Sequence, residues 1–270
     1  MILFLASNIG GVKKENGKKY PVRFFEKNSF LNNLKKNLTD TKKFVLVASD
    51  PDNYDKNDLF LKMDIEALKL SDLCFDEYLV LDQRNTWDIE NVLKDASLIF
   101  LSGGNTLLQN KFFNSINLKK YINDNSVVIG ISAGSINSAK DAYNSPESEE
   151  DLNNSPYLHG LELTNINIEP HFSLSNLNDD SKKIQMKAIL SESNKRILYG
   201  LTDEHTLLKQ VQNVCFMVKV IKFKMVLLKK FAIMMRLLIL IIMFNLTNIK
   251  NKTIIIHIKR RNRTRLLINL

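Results

Sequence analysis

Hydrophobic positions gather in short, almost unbroken runs: ILFLAS at 2–7, KFVLVASD at 43–50, EYLVLD at 77–82, LIFLSGGN at 98–105 and SVVIGIS at 126–132. Strands this apolar on both faces belong in the middle of a covered sheet rather than on a half-exposed one. The polar stretches between them carry apolar residues at helical spacing, as with Phe60, Met63, Ile65, Leu68 and Leu70 in NDLFLKMDIEALKL. The alternation predicts an α/β fold: a doubly wound, mostly parallel sheet flanked by helices on both faces, with ligands at the carboxyl ends of the strands. NINIEP (165–170) and RILYGLTDE (196–204) read as further strands separated by a helix near 179–193. The Asn-, Ser-, Pro- and Glu-rich stretch 143–157 reads as a surface loop.

Charge changes the picture by its placement. The formal net charge is +9, which alone would suggest an acidic partner such as nucleic acid. Yet residues 1–204 hold 24 basic against 29 acidic side chains, and residues 205–270 hold 14 basic and no acidic ones. The body is mildly acidic, and the basic character belongs to the tail. Cys74 and Cys215 lack the C-x-x-C spacing of a zinc or redox site and suit a reducing, cytoplasmic setting. The apolar start, MILFLASNIGG, has no basic n-region and reads as a first strand.

The chemistry concentrates where strands end. Gly130 and Gly134 bracket Ser132 in GISAG, between a β-branched strand and a helix start. This is the form of a nucleophile elbow, a strained turn that exposes the serine hydroxyl. Serine needs a base, and of the four histidines (His159, His171, His205 and His257) His171 is best anchored, in IEPHF after a strand and a proline. A structural histidine capping the next turn is the plainer reading of His171 alone; the elbow favours the catalytic one. An oxyanion hole would take one N–H from Ala133, directly after the nucleophile, and a second from Gly104 in LSGGNT. An ordinary βα turn or a phosphate cradle would also use the Gly103–Gly104 pair, but a nucleotide motif is missing around it. No His, Cys and Asp cluster has metal-ligand spacing, so no metal or cofactor is expected.

LSGGNT, GISAGSIN, IEPHF and LYGLTDE, in this order and spacing, resemble the aspartyl dipeptidase (dipeptidase E) family of serine peptidases, which also contains the cyanophycinases. The resemblance covers roughly residues 1–210 and implies a fold like that of class I glutamine amidotransferases. It implies Ser132 as nucleophile, His171 as base, and substrates that carry an N-terminal aspartate or an aspartyl linkage, with short peptides beginning in aspartate preferred. For the acid it points either to the loop after the nucleophile helix (Asp141 or Glu147) or to GLTDE (Asp203, with Glu204 beside it). Asp203 is preferred, because it directly follows a strand. Arg84, after another strand, is a candidate contact for an acidic substrate, against the plainer reading of a solvated arginine. An amidase or esterase on the same scaffold, or a non-catalytic membrane-associated protein with a degenerate site, are the alternatives.

The chain thus divides into a peptidase-like domain, 1–210, and an atypical basic, apolar tail, 211–270. After Gly200 there is no glycine and after Pro170 no proline, so turn chemistry is missing. The longest lightly charged run, Phe231–Phe244, contains Arg236 and falls short of the ~20 residues that span a bilayer. An interfacial helix or an unspecific basic arm on nucleic acid would fit this composition, and so would a frameshifted reading of an A/T-rich gene, which is preferred over membrane contact. No specific nucleic-acid partner is expected, and the oligomeric state is not readable.

Overall fold

The computed structural model describes residues 1–203, 205–210, 213–216 and 221–223. These belong to a compact unit, Met1–Lys224. Of the tail expected over 211–270, only 213–216 and 221–223 are described, as strands; the rest of it, with the expectations that fall there, lies outside the described residues, as does Glu204.

The chain opens with β1 (Ile2–Ala6), a hairpin of β2 (Gly10–Glu15) and β3 (Lys18–Phe24), and α1 (Phe30–Asn37). A βα alternation follows: β4 (Lys43–Val47), α2 (Tyr54–Leu70), β5 (Glu77–Leu81), α3 (Ile89–Leu93), β6 (Ala96–Leu101), α4 (Thr106–Ser115), β7 (Val127–Ile131) and α5 (Ala133–Asn137). Next come β8 (Asp141–Tyr143), β9 (Tyr157–His159), β10 (Asn167–Glu169), α6 (Lys183–Glu192), β11 (Leu198–Gly200), β12 (Thr206–Gln210), β13 (Asn213–Phe216) and β14 (Ile221–Phe223).

Among the described residues the main sheet has seven strands in the order β13-β12-β1-β7-β6-β4-β5. Strands β1, β7, β6, β4 and β5 are parallel, and β12 and β13 extend one side through antiparallel pairings. The fold is therefore α/β with a mostly parallel sheet, as the buried runs require. A smaller sheet, β10-β11-β14, lies apart from it.

Pleating sorts the core. Leu3, Leu5, Val45, Val47, Ile99 and Leu101 pack on one face with Phe112, Phe113 and Leu93. Phe4, Ala6, Phe44, Leu46, Leu98 and Phe100 pack on the other with Phe24, Phe30 and Leu68. Alternate residues of each strand thus serve opposite cores, which is why these runs have no polar face. On the second face Phe44 meets Phe100 edge to face at 4.8 Å.

The register carries this order to the site. Ala6 pairs with Ile131, and Leu101 pairs with Gly130. One or two residues further on, at the carboxyl edge, Ser7, Ser132 and Gly103 come side by side. That edge is where open α/β sheets place their ligands.

Candidate active site

Ser132 joins β7 to α5 with φ 50° and ψ −108°, a conformation an L-residue holds only under strain. Packing enforces it. A Cβ on Gly134 would run into the Leu101 carbonyl, whose carbon would lie 2.7 Å away, so α5 could not approach β6 with any larger residue. A Cβ on Gly130 would lie 2.8 Å from the Ser135 nitrogen, inside the turn itself. The turn is tied down by the Ser132 N–H, which donates to the Ala6 carbonyl at 2.8 Å. The buried Ser135 hydroxyl accepts from the Ala6 N–H at 2.9 Å.

His171 reaches the same point from the smaller sheet, on a loop after β10. Its backbone, at φ 55°, is held by a bond from its N–H to Ser7 Oγ at 3.0 Å. Ser7 Oγ in turn donates to the Leu201 carbonyl at 2.8 Å, and the Phe172 N–H donates to the same carbonyl at 2.9 Å. His171 Nε2 stands 3.0 Å from Ser132 Oγ, and its Nδ1 stands 2.5 Å from Asp203 Oδ1. The histidine and aspartate side chains are 53% and 60% exposed, so the relay opens to solvent.

The other candidates separate from this cluster. Asp141 lies at the start of β8, its carbonyl accepting from Arg196 at 2.9 Å. Glu147 lines the cavity beside Ser132, where its carboxylate accepts from Gln185 Nε2 at 3.3 Å. Arg84 does not line that cavity. It pairs with Asp58 at 2.5 Å and with buried Asp82 at 2.8 Å, and its guanidinium is committed there. His159 stands 3.7 Å from Glu162, His205 bonds Thr202, and His257 lies outside the described residues.

The cavity has a volume of about 260 Å³, and Gly104, Ser132, Glu147, Glu169, His171 and Lys182 are among its walls. The Gly104 N–H makes no backbone hydrogen bond among the described residues. At φ 151° its missing Cβ leaves room that the Ser49 hydroxyl fills. The Ala133 N–H, first in α5, has no partner within the helix. A half-buried hydroxyl, an imidazole and a carboxylate in series, with backbone N–H groups at Gly104 and Ala133, are the parts that acyl transfer needs.

Glu169 and Ser7 escape a reading of the sequence alone. Glu169 is buried at the end of β10, and its Oε1 accepts from Ser145 Oγ at 2.9 Å and Gln185 Nε2 at 3.1 Å. Burial pushes its carboxyl up to about 8, against the Ser145 bond and with the help of the Glu147 charge. A carboxylate ending a strand on the side opposite its isoleucine, two residues before His171, is the only signal for it. For Ser7 the only signal is a polar residue ending a buried strand. Among the described residues no group of three or more His, Cys, Asp or Glu side chains could hold a metal, and no helix is long and apolar enough to cross a membrane.

Known proteins share this arrangement at the level of the fold. A candidate peptidase E protein from Listeria monocytogenes EGD-e is 16% identical, with a TM-score of 0.54 over 82% of this chain and 98% of its own. A peptidase from an acI-B1 Actinobacterium is 18% identical, with a TM-score of 0.57 over 83% of this chain and 91% of its own. Comparison with curated proteins finds no match. The family model for peptidase family S51 matches residues 25–215, well over half of the sequence. The chain belongs to peptidase family S51.

Proposed function

We propose that the chain is a serine-type peptidase that cleaves short peptides, with Ser132, His171 and Asp203 as its catalytic groups. The observation that carries this reading is the series Ser132 Oγ, His171 Nε2 and Nδ1, and Asp203 Oδ1, at 3.0 and 2.5 Å. His171 takes the hydroxyl proton as Ser132 Oγ bonds to the substrate carbonyl carbon. The charge that develops on the carbonyl oxygen meets the Gly104 and Ala133 N–H groups. His171 then gives its proton to the departing amine as the C–N bond breaks, leaving an acyl ester on Ser132. Water, deprotonated by the same imidazole, hydrolyses the ester and frees the serine. Asp203 keeps Nδ1–H facing away from the serine, so that Nε2 is the basic nitrogen.

The first residue of the substrate is assigned as aspartate. Lys182 offers the cavity a cation for the side-chain carboxylate, and the exposed Glu147 carboxylate offers a partner for the α-ammonium. Glu169, held neutral by burial, does not oppose the acidic side chain. Hydrolysis of an Asp-X dipeptide or a chromogenic aspartyl amide, measured beside Ser132→Ala, tests the reading. Turnover lost in the variant is expected, and turnover retained by it overturns the mechanism.

A further inference from the structure

The loop after β6 has a cavity on each side. Gly104 lines the small one described above, and Gly103 lines a groove of about 1000 Å³. Ser132 is not among the groove's own walls but lies next to them: a Cβ on Gly103 would lie 3.5 Å from both the Ser132 Cβ and the Ile131 carbonyl oxygen. Its walls are Ile9 and Ile131 from the sheet edge, Val12 and Tyr20 from the hairpin, and Phe60 and Met63 from α2. Lys18, Lys19 and Lys56 stand around it, against Asp55 and Asp64. Lys19 Nζ sits 4.9 Å over the Phe60 ring, so the cations border the apolar surface directly.

One polar group in this wall lacks a partner. Ser102 is 7% exposed, and its Oγ makes no hydrogen bond among the described residues. A buried hydroxyl left unpaired carries its desolvation cost in full, and because this oxygen is closed to solvent it gives a ligand in the groove no polar contact, so the wall here is apolar. Ser102 directly precedes Gly103, so this wall runs up to the loop beside Ser132.

We infer that this groove is the leaving-group subsite, and that it takes a bulky apolar or aromatic residue directly after the scissile bond, with the lysines receiving the peptide's free carboxylate. The inference rests on the function proposed above. Size decides which side of the bond each cavity serves. A peptidase that releases one amino-terminal residue must limit what lies before the bond, which suits about 260 Å³, while the remainder of the peptide needs the larger space. The chemistry agrees. The small cavity carries Glu147, Glu169 and Lys182 for a zwitterionic first residue, whereas the groove carries an apolar floor under an excess of cations. Met63, unbranched and flexible, lets that floor adapt to more than one side chain.

The test compares Asp-Gly, Asp-Leu and Asp-Phe on the full chain by kcat/KM, and on Ser132→Ala by calorimetric binding. Asp-Phe and Asp-Leu should exceed Asp-Gly by about tenfold in both measurements, the discrimination expected of an apolar pocket. Met63→Ala and the surface variant Tyr20→Ser should each move the Phe-to-Gly ratio towards one. Equal values for the three peptides, with turnover that depends on Ser132, overturn the groove and leave the catalytic reading standing. Turnover that survives Ser132→Ala overturns the catalytic reading. If no peptide is cleaved, the binding ratio on Ser132→Ala decides the groove separately: tighter Asp-Phe supports it, and equal affinity overturns it.

Discussion

Glu169→Gln isolates one carboxyl group whose titration the fold has displaced. Glu169 is 4% exposed, and its Oε1 already accepts bonds from Ser145 and Gln185. Its carboxyl moves from an ordinary 4.5 to about 8. Desolvation is the main cause; the Ser145 bond opposes it, Glu147 adds to it, and Gln185 and Lys182 oppose it. The folded chain therefore holds this proton more tightly than the unfolded chain, and stability falls as pH rises from about 4.5 to about 8 and then levels off. At ~1.4 kcal/mol per pH unit, the loss between about pH 5 and about pH 8 comes to roughly 3–4 kcal/mol. Glutamine keeps the Oε1 acceptor, matches the neutral acid in shape and does not titrate. Urea unfolding of both proteins at the two pH values gives the difference directly, with all other titrations shared. The wild type should lose roughly 3–4 kcal/mol more than the variant, or about 10 °C in Tm, while the two remain close at about pH 5. Parallel pH curves would show that Glu169 titrates normally and would refute the dry environment assigned to it.

Two further outcomes follow from the site. Gly134→Ala must push α5 off the Leu101 carbonyl; it should lower Tm by about 5–10 °C and abolish turnover, and an unchanged melting curve would contradict the close approach. Asp203→Asn should lower kcat by about 10²-fold or more, while Glu147→Gln, which loses the proposed partner of the α-ammonium, should act mainly on KM; a larger fall in kcat from Glu147→Gln than from Asp203→Asn would move the acid's role to Glu147.

Those outcomes also mark the boundary of what one sequence can disclose. Strands such as Val127–Ile131 were legible because β-branched residues buried on both faces leave an unbroken run. The elbow was legible because its constraints are local: Gly130, Ser132 and Gly134 lie within one turn of chain. The hairpin of β2 and β3 has neither advantage. Its strands, GGVKKE and KKYPVRF, are mostly exposed, and only Asn16–Gly17 at the turn, with φ 49° and 78°, announces it. Yet that hairpin supplies one wall of the groove beside the nucleophile. Ser7 was equally silent, since its part depends on β1 lying next to β7 and on a bond to a residue 164 positions away. Asp203 was preferred over Asp141 and Glu147 because it directly follows a strand, but its 2.5 Å approach to the imidazole is a distance that spacing along the chain does not encode.

What local motifs announce is the reacting group, because strain and close approach are short-range demands. What the register assembles is everything that tells substrates apart. Gly103 and Gly104 look equivalent in LSGGNT, but one faces an apolar groove and the other a charged cavity. That division arises because the chain leaves β6 between two separately packed faces of the sheet. Ser132, the proposed nucleophile, lines the charged cavity and lies next to Gly103 at the groove, so the proposed mechanism lays a peptide between two chemically different surfaces. The selectivity proposed for both residues around the scissile bond would thus follow from the same doubly covered sheet that made the strands readable.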